Sequence, residues 1–176
     1  MDHGSCLHPK CNSSWIEKAD GDHYRYYAKC MKNVKLNMCT IPGAKIIDLP
    51  KFLDARGNLS FVEEMSHIPF QIRRTYWIYD VPGGENRGGH AFRRNQEFIV
   101  ALSGSFDVIV DDGRKKSVFT LNRSYYGLYL PAGLWREMIN FSTNAFALEF
   151  GSEHYDESDY IRDYDNFIQL KCNGEI

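Results

Sequence analysis

"GGENRGGHAFRRNQEFIVALSG", residues 83–104, sets four residues at intervals that small β-barrel proteins use to build a metal site. Gly84 is followed after five residues by His90, and Glu97 and Gly104 then fall at the positions of a third ligand and a closing turn. The slot two residues after His90 belongs to a second imidazole in that pattern, and Phe92 occupies it. A phenyl ring has no lone pair to give a cation, so the stretch keeps the frame of a metal site and loses one of its ligands. It leaves the question of what a lone histidine does there.

A second stretch repeats the pattern. "PAGLWREMIN", residues 131–140, spaces Pro131, Gly133, Arg136 and Asn140 as the cupin superfamily spaces its second motif, with arginine where that motif has histidine. The first stretch likewise resembles the first cupin motif, so two of the four usual ligand slots survive. A permanent guanidinium aimed at the place a divalent cation would take is repulsive, and His90 with Glu97 alone is a poor site. The expectation is a cupin with its cavity kept and no metal or other cofactor.

Between and around these stretches, short apolar runs recur at regular spacing, each closed by a turn signal, as in an antiparallel sandwich or barrel. "LSFVEE", "QIRRTYWIY", "EFIVALSG", "SFDVIVDDG", "SVFTL", "GLYLP", "WREMIN" and "NAFALEF" are the candidate strands, and "DDG" at 111–113 marks a hairpin turn. The fold class expected is all-β, a cupin jelly-roll β-barrel with a short C-terminal helix. That helix is read from "ESDYIRDYDNFI", where Tyr160, Ile161, Tyr164, Phe167 and Ile168 recur at helical spacing, with Ser158 or Asp159 as N-cap. In "QIRRTYWIY" the residues Ile72, Arg74, Tyr76 and Ile78 share one face, and if that face is the inner one Tyr76 points its hydroxyl into the barrel.

The chain has 176 residues, enough for one domain and a tail. Residues 1–44 read as a cysteine-containing N-terminal arm, loosely ordered or packed on a partner, with a short amphipathic helix near "DHYRYYAKCMKNV"; residues 45–176 read as the domain. Four of the five cysteines, Cys6, Cys11, Cys30 and Cys39, lie in the arm at spacings that do not pair up as a zinc site, and an odd number makes no disulfide framework. With 21 Lys+Arg against 23 Asp+Glu there is no basic excess for nucleic acid, and no apolar run could cross a bilayer. The protein is expected to be soluble and cytoplasmic. Seven carboxylates between Glu149 and Asp165 lack the order and glycine of a calcium loop and read as a solvated face.

From Ile46 to Phe167 the sequence resembles the sugar-nucleotide 3,4-ketoisomerases, cupin enzymes acting on dTDP-4-keto-6-deoxyglucose. "LDARGNLSFVEE", "IPFQIRRTYWIYDVPGG", "RGGHAFRRNQEFIVALSGSFDVIVDDG", "YYGLYLPAGLWREM" and above all "SEHYDESDYIRDYDNFI" carry the resemblance. It implies that His90 is the base and that Tyr76, on the preceding strand, is the second catalytic residue. Phe92 departs from the family, whose usual second histidine belongs there. The resemblance also implies a homodimer in which the first strand crosses to the partner, and a dTDP-sugar as the substrate.

The chemistry then asks for a base that takes the hydrogen at C3 of a 4-keto sugar, an enediol, and a proton returned to C4, with no net redox change. His90 carries that proton across one face, or Tyr76 or a water returns it. For the diphosphate, Arg87 is the first candidate, with Arg74, Arg136, Arg93 and Arg94 behind it. Arg56 and Arg136 stand where family members differ, and Glu97 is placed to bond His90 or an arginine. Two other readings stay open: a 3,5-epimerase, which needs acid and base on opposite faces of the ring, and a cupin that binds a nucleotide sugar without turning it over, as Phe92 suggests.

Overall fold

The structure, a computed structural model, describes residues 41–176. The expected arm, its short helix and the cysteine cluster near Cys6 and Cys11 lie almost wholly outside the described residues. Twelve strands, a 3-10 turn and one helix make up the described part. The strands are β1 (Lys45–Asp48), β2 (Phe52–Asp54), β3 (Gly57–Leu59), β4 (Arg74–Ile78), β5 (Arg87–Phe92), β6 (Glu97–Ser103), β7 (Phe106–Asp111), β8 (Lys116–Leu121), β9 (Tyr126–Leu130), β10 (Trp135–Ile139), β11 (Phe146–Gly151) and β12 (Tyr160–Ile161). The helix is α1 (Tyr164–Asn173).

Ten of these strands form two five-stranded antiparallel sheets, in the orders β1-β9-β6-β11-β4 and β12-β5-β10-β7-β8. Strands β2 and β3 pair only with each other. The architecture is a jelly roll, all-β with one short terminal helix, and its two sheets face one another without closing into a continuous hydrogen-bonded barrel. Alternation along the strands makes three cores. The inner faces bury Ile99, Ala101, Val108, Leu128, Met138 and Ala147 against one another, with Ile41 among them. On the outer face of the first sheet, Phe98, Val100 and Tyr129 are covered by Leu49, Ile68 and Phe70 from the segments before β4. On the outer face of the second sheet, Ala91 and Trp135 are covered by Phe167, Ile168 and Leu170 of α1. Strand β6 is therefore buried on both faces, which is why "EFIVALSG" reads as a continuous apolar run.

Three elements differ from the sequence reading. "LSFVEE" is not one strand: Leu59 ends β3, and Glu64 makes only a single bridge to Ile68. Its apolar residues serve the outer core, where Val62 packs. The glycine-rich "RGGHAF", absent from the candidate strands, is a strand, β5. The terminal helix starts later than its spacing suggests. Tyr160 and Ile161 form β12, paired with Phe92 and Ala91 of β5, and Asp163 caps α1 by accepting from the Asn166 amide. Asp156 caps the 3-10 turn at Glu157–Asp159, while Asp159 is buried and accepts from the Arg94 and Asn95 amides. Asp159 thus staples the end of β5 to the approach of β6 in place of starting a helix.

Candidate active site

The inner faces change character toward one end of the sandwich. There the first sheet contributes Tyr76 from β4, Glu97 from β6 and Glu149 from β11; the second contributes His90 from β5 and Arg136 from β10. Cross-strand register accounts for the grouping. Glu149 pairs with Tyr76, and Arg136 pairs with His90, so each pair projects to the same side of its sheet.

A bulge sets the second pair. Between Arg136 and Glu137 the register against β5 slips from His90 to Gly88, leaving Gly89 as the extra residue. Gly88 and Gly89 have φ of 87° and 71°, in the left-handed region. A Cβ on Gly88 would lie 2.9 Å from both the Arg136 Nη1 and the Arg136 carbonyl oxygen. The bare backbone at 88 is thus what lets the guanidinium lie flat across β5.

Arg136 is the hub. Its Nε donates to Glu97 Oε2 at 2.7 Å, and its Nη2 donates to Glu97 Oε1 at 2.8 Å and to Glu149 Oε2 at 3.1 Å. The Tyr76 hydroxyl donates to Glu97 Oε1 in a short hydrogen bond, and Arg136 Nη2 reaches the same hydroxyl at 3.4 Å. Burial alone would raise Glu97, but the charge and hydrogen bonds of Arg136, with the Tyr76 bond, hold its carboxyl below the usual value. Burial lowers Arg136 less than Glu97 and Glu149 raise it, so the guanidinium stays charged. Glu149 is pushed up to about 7 by burial, against the pull of Arg136 and reinforced by the negative charge of Glu97. Burial and both carboxylates drive the Tyr76 phenol well above its ordinary range. One guanidinium thus faces two carboxyls, and burial together with the Glu97 charge favours the protonated form of Glu149 over a second buried negative charge.

His90 is 7% exposed, and neither of its ring nitrogens has a hydrogen-bond partner. The Gly88 carbonyl is near enough to favour the protonated ring without meeting hydrogen-bond geometry. Burial first, then the positive Arg136, push the imidazole down to about 3, with Glu97 pulling the other way. The ring is neutral at working pH and held by aromatic contacts alone: Phe92 meets it edge-on at 4.8 Å between centroids, and Tyr160 at 4.9 Å. A buried imidazole with neither nitrogen hydrogen-bonded is a departure from the usual pairing of buried polar groups.

These residues surround a cavity of about 360 Å3 lined by Tyr76, Arg87, His90, Arg136, Glu149 and Tyr160. A groove of about 550 Å3 beside Leu102, Thr120 and Ser142 is larger, but its lining holds small polar side chains and no buried titratable group. Of the residues expected from sequence, Tyr76, His90, Glu97 and Arg136 come together. Arg74 lies next to them without lining the cavity, its guanidinium 4.9 Å above the Tyr76 ring, its Nη1 3.4 Å from the Tyr160 hydroxyl and its buried Nε without a partner. Arg87 stands exposed at the rim. Arg94 is bound to Asp156 at 2.8 Å. Arg56 does not line the cavity; it sits on the β2–β3 hairpin, paired with Asp54 at 2.7 Å.

Glu149 is the residue that sequence reasoning missed. In "NAFALEF" the bulky Phe146, Leu148 and Phe150 occupy one face, and the other carries Ala147 and Glu149. The small-residue face turned out to be the inner one. A carboxylate sharing a face with alanine inside a cupin strand was the available signal.

The donor set does not fit a metal ion. Both Glu97 oxygens are taken up by Arg136 and Tyr76, and Phe92 lies against His90. Among the described residues no three His, Cys, Asp or Glu side chains gather as ligands.

Comparison with known proteins gives this cavity a family. The family model described as "FdtA: WxcM-like, C-terminal" matches residues 42–172. The chain belongs to that family. A TDP-4-oxo-6-deoxy-alpha-D-glucose-3,4-oxoisomerase of Aneurinibacillus thermoaerophilus is 44% identical over 123 residues, covering 70% of this chain and 88% of that relative. Among solved structures, the WlaRB TDP-quinovose 3,4-ketoisomerase of Campylobacter jejuni is 40% identical, with a TM-score of 0.71, covering 73% of this chain and 99% of its own. The 3,4-ketoisomerase QdtA of Thermoanaerobacterium thermosaccharolyticum, a histidine-to-asparagine mutant in complex with TDP-4-keto-6-deoxyglucose, is 30% identical. Its TM-score is 0.74, with 76% of this chain and 97% of that chain covered. The relatives of this FdtA/WxcM-like chain are thus TDP-sugar ketoisomerases, and its fold is theirs.

Proposed function

We propose that this protein converts a TDP-4-keto-6-deoxyhexose to its 3-keto isomer, with His90 as the carbon base. The observation that carries the reading is the His90 ring, buried beside the cavity with both nitrogens unpartnered, with Arg136 next to it on the same sheet and Tyr76 on the facing one. In the free protein the ring is a weak base. A bound diphosphate brings negative charge that offsets Arg136, and a sugar hydroxyl supplies a hydrogen-bond partner; both raise its proton affinity as the substrate seats. His90 takes the C3 hydrogen, and the electron pair forms the enediol, whose developing charge at O4 meets Tyr76 and Arg136. His90 then returns the proton to C4 on the same face. Phe92 supports the one-base form of this route, since it packs on His90 and offers no proton.

Arg87 at the rim and Arg74 beside Tyr76 are the candidates for the diphosphate, Arg74 with an open buried Nε. We assign the protein to the cytoplasm as a soluble homodimer. Among the described residues no helix is long and apolar enough to cross a membrane. Support for the dimer comes from the β2–β3 hairpin, which is exposed on every residue and carries Phe52, Leu53 and Leu59 outward. A two-stranded hairpin with apolar faces in water is marginal on its own and is steadied by a second copy.

The test is conversion of TDP-4-keto-6-deoxyglucose, followed by NMR, with wild type and His90→Asn. Wild type is expected to form the 3-keto sugar, and the variant to lose about 10²- to 10⁴-fold in kcat. Tight binding without turnover by wild type would instead make the protein a nucleotide-sugar binder.

A further inference from the structure

The isomerisation moves two protons, and His90 accounts for only the one on carbon. As the C3–H bond breaks, its electrons form the C3–C4 double bond and the C4 carbonyl pair moves onto O4, which needs a proton. In the second half the O3–H bond breaks, the C3 carbonyl forms, and the double-bond electrons take the proton that His90 returns to C4. An acid on the oxygen side must therefore give one proton to O4 and recover one from O3.

Tyr76 faces the cavity but cannot serve as that acid by itself. A tyrosinate there would sit against two carboxyl groups, and burial adds to the cost. Glu97 cannot refill it, since both its oxygens are engaged with Arg136 and Tyr76. Glu149 can. Its side chain has 0% exposure, its Oε2 accepts from Arg136 at 3.1 Å, and its Oε1 has no partner. It is paired in register with Tyr76 on the neighbouring strand, so both side chains project to the same side.

We propose that Glu149 is the proton store of the oxygen side: it holds a proton beside Tyr76, passes it through the tyrosine hydroxyl to O4 as the enediol forms, and regains it when O3 gives up its own. The groups that face Glu149 set this state. Tyr76 from β4 and Glu97 from β6 lie on its own sheet, and Arg136 from β10 and His90 from β5 lie across the sandwich. Ionising both carboxyls beside a single guanidinium would leave one buried negative charge uncompensated, which the dry interior opposes. Glu97, with two hydrogen bonds from Arg136, keeps the charge, and Glu149 keeps the proton. Its pKa near 7 makes that proton available at working pH. Because Glu149 acts through Tyr76, it is a positioning and proton-holding residue.

The inference rests on the isomerase reading, and the experiment separates the two. Difference infrared spectroscopy of the full-length protein against Glu149→Gln reads the carbonyl band of a protonated carboxyl, in H2O and D2O, without turnover. Wild type is expected to show the band at mildly acidic pH and to lose it on the alkaline side, and Glu149→Gln to lack it. In steady-state assays Glu149→Gln is expected to fall about 10²-fold in kcat with KM little changed. It should also lose the alkaline decline of kcat that wild type shows as Glu149 ionises. A missing band, or a Glu149→Gln enzyme with wild-type kcat and pH profile, overturns the proton store and leaves His90 standing. A wild type with no isomerase activity overturns both. Should Glu149→Gln fail to fold, the wild-type band and its loss with pH decide.

Discussion

The partnerless imidazole of His90 and the proton on Glu149 are departures from ordinary burial, and each leaves a mark on stability. Folded His90 has its pKa near 3 against 6.5 for the free side chain, so between those values the folded state binds fewer protons than the unfolded one. Stability therefore falls as pH drops from 6.5 toward 3. Glu149 has the opposite sign. Its folded value near 7 exceeds 4.5, the folded state binds more protons in that window, and stability falls as pH rises through it. Urea unfolding across pH is expected to lose about one proton of slope, about 1.4 kcal/mol per pH unit, on the acid side in His90→Asn. An unchanged acid slope in that variant would mean His90 is solvated in the folded protein. The residue-level reading of the sequence reached His90, Glu97 and Arg136 because motif spacing acts at single positions, and it reached Tyr76 through the family resemblance, since parity left open which face of that strand turns inward. It placed Arg56 with them, and parity could not foresee that a hairpin holds that residue away from the cavity.

At the level of elements, the β5–β10 pair decides the geometry. The bulge at Gly89 and the bare Cα of Gly88 let Arg136 cross to Glu97 while His90 keeps its place opposite. Gly88→Ala puts a Cβ 2.9 Å from the guanidinium at a φ of 87°. It is expected to lower stability by about 1–3 kcal/mol and to reduce activity, checked by thermal unfolding and the isomerase assay. A fully active, equally stable alanine variant would show that the arginine does not depend on that gap. This strand was also the least legible in sequence. "RGGHAF" has glycines where a strand should show alternating apolar residues, and only the ladder to β10 and β12 makes it one. Tyr160 and Ile161 were misread for a related reason, since their spacing to Tyr164 suits a helix while their pairing with β5 is non-local. The strands with plain alternation or continuous apolar runs, β6 through β11, were readable because one buried face enforces alternation, as in β8, and two buried faces enforce an apolar run, as in β6.

At the largest scale, among the described residues, three hydrophobic layers hold two sheets apart by one filled core, and the cavity occupies the end where that core turns polar. The jelly roll was legible from strand count and the two motifs; the outer layer before β4 was not, because its apolar residues have no period. The exposed hairpin gives the molecule an apolar flank, and Phe52→Asp with Leu53→Asp is expected to shift a dimer to monomer in sedimentation velocity. A monomeric wild type would contradict the dimer. The most direct test of the central claim is to incubate the protein with TDP-4-keto-6-deoxyglucose in D2O and locate the label by NMR. A single base working one face in the 3,4 direction places deuterium at C3 of recovered substrate or C4 of a 3-keto product, and His90→Asn abolishes both. Deuterium at C5, or labelling that persists in His90→Asn, would contradict it.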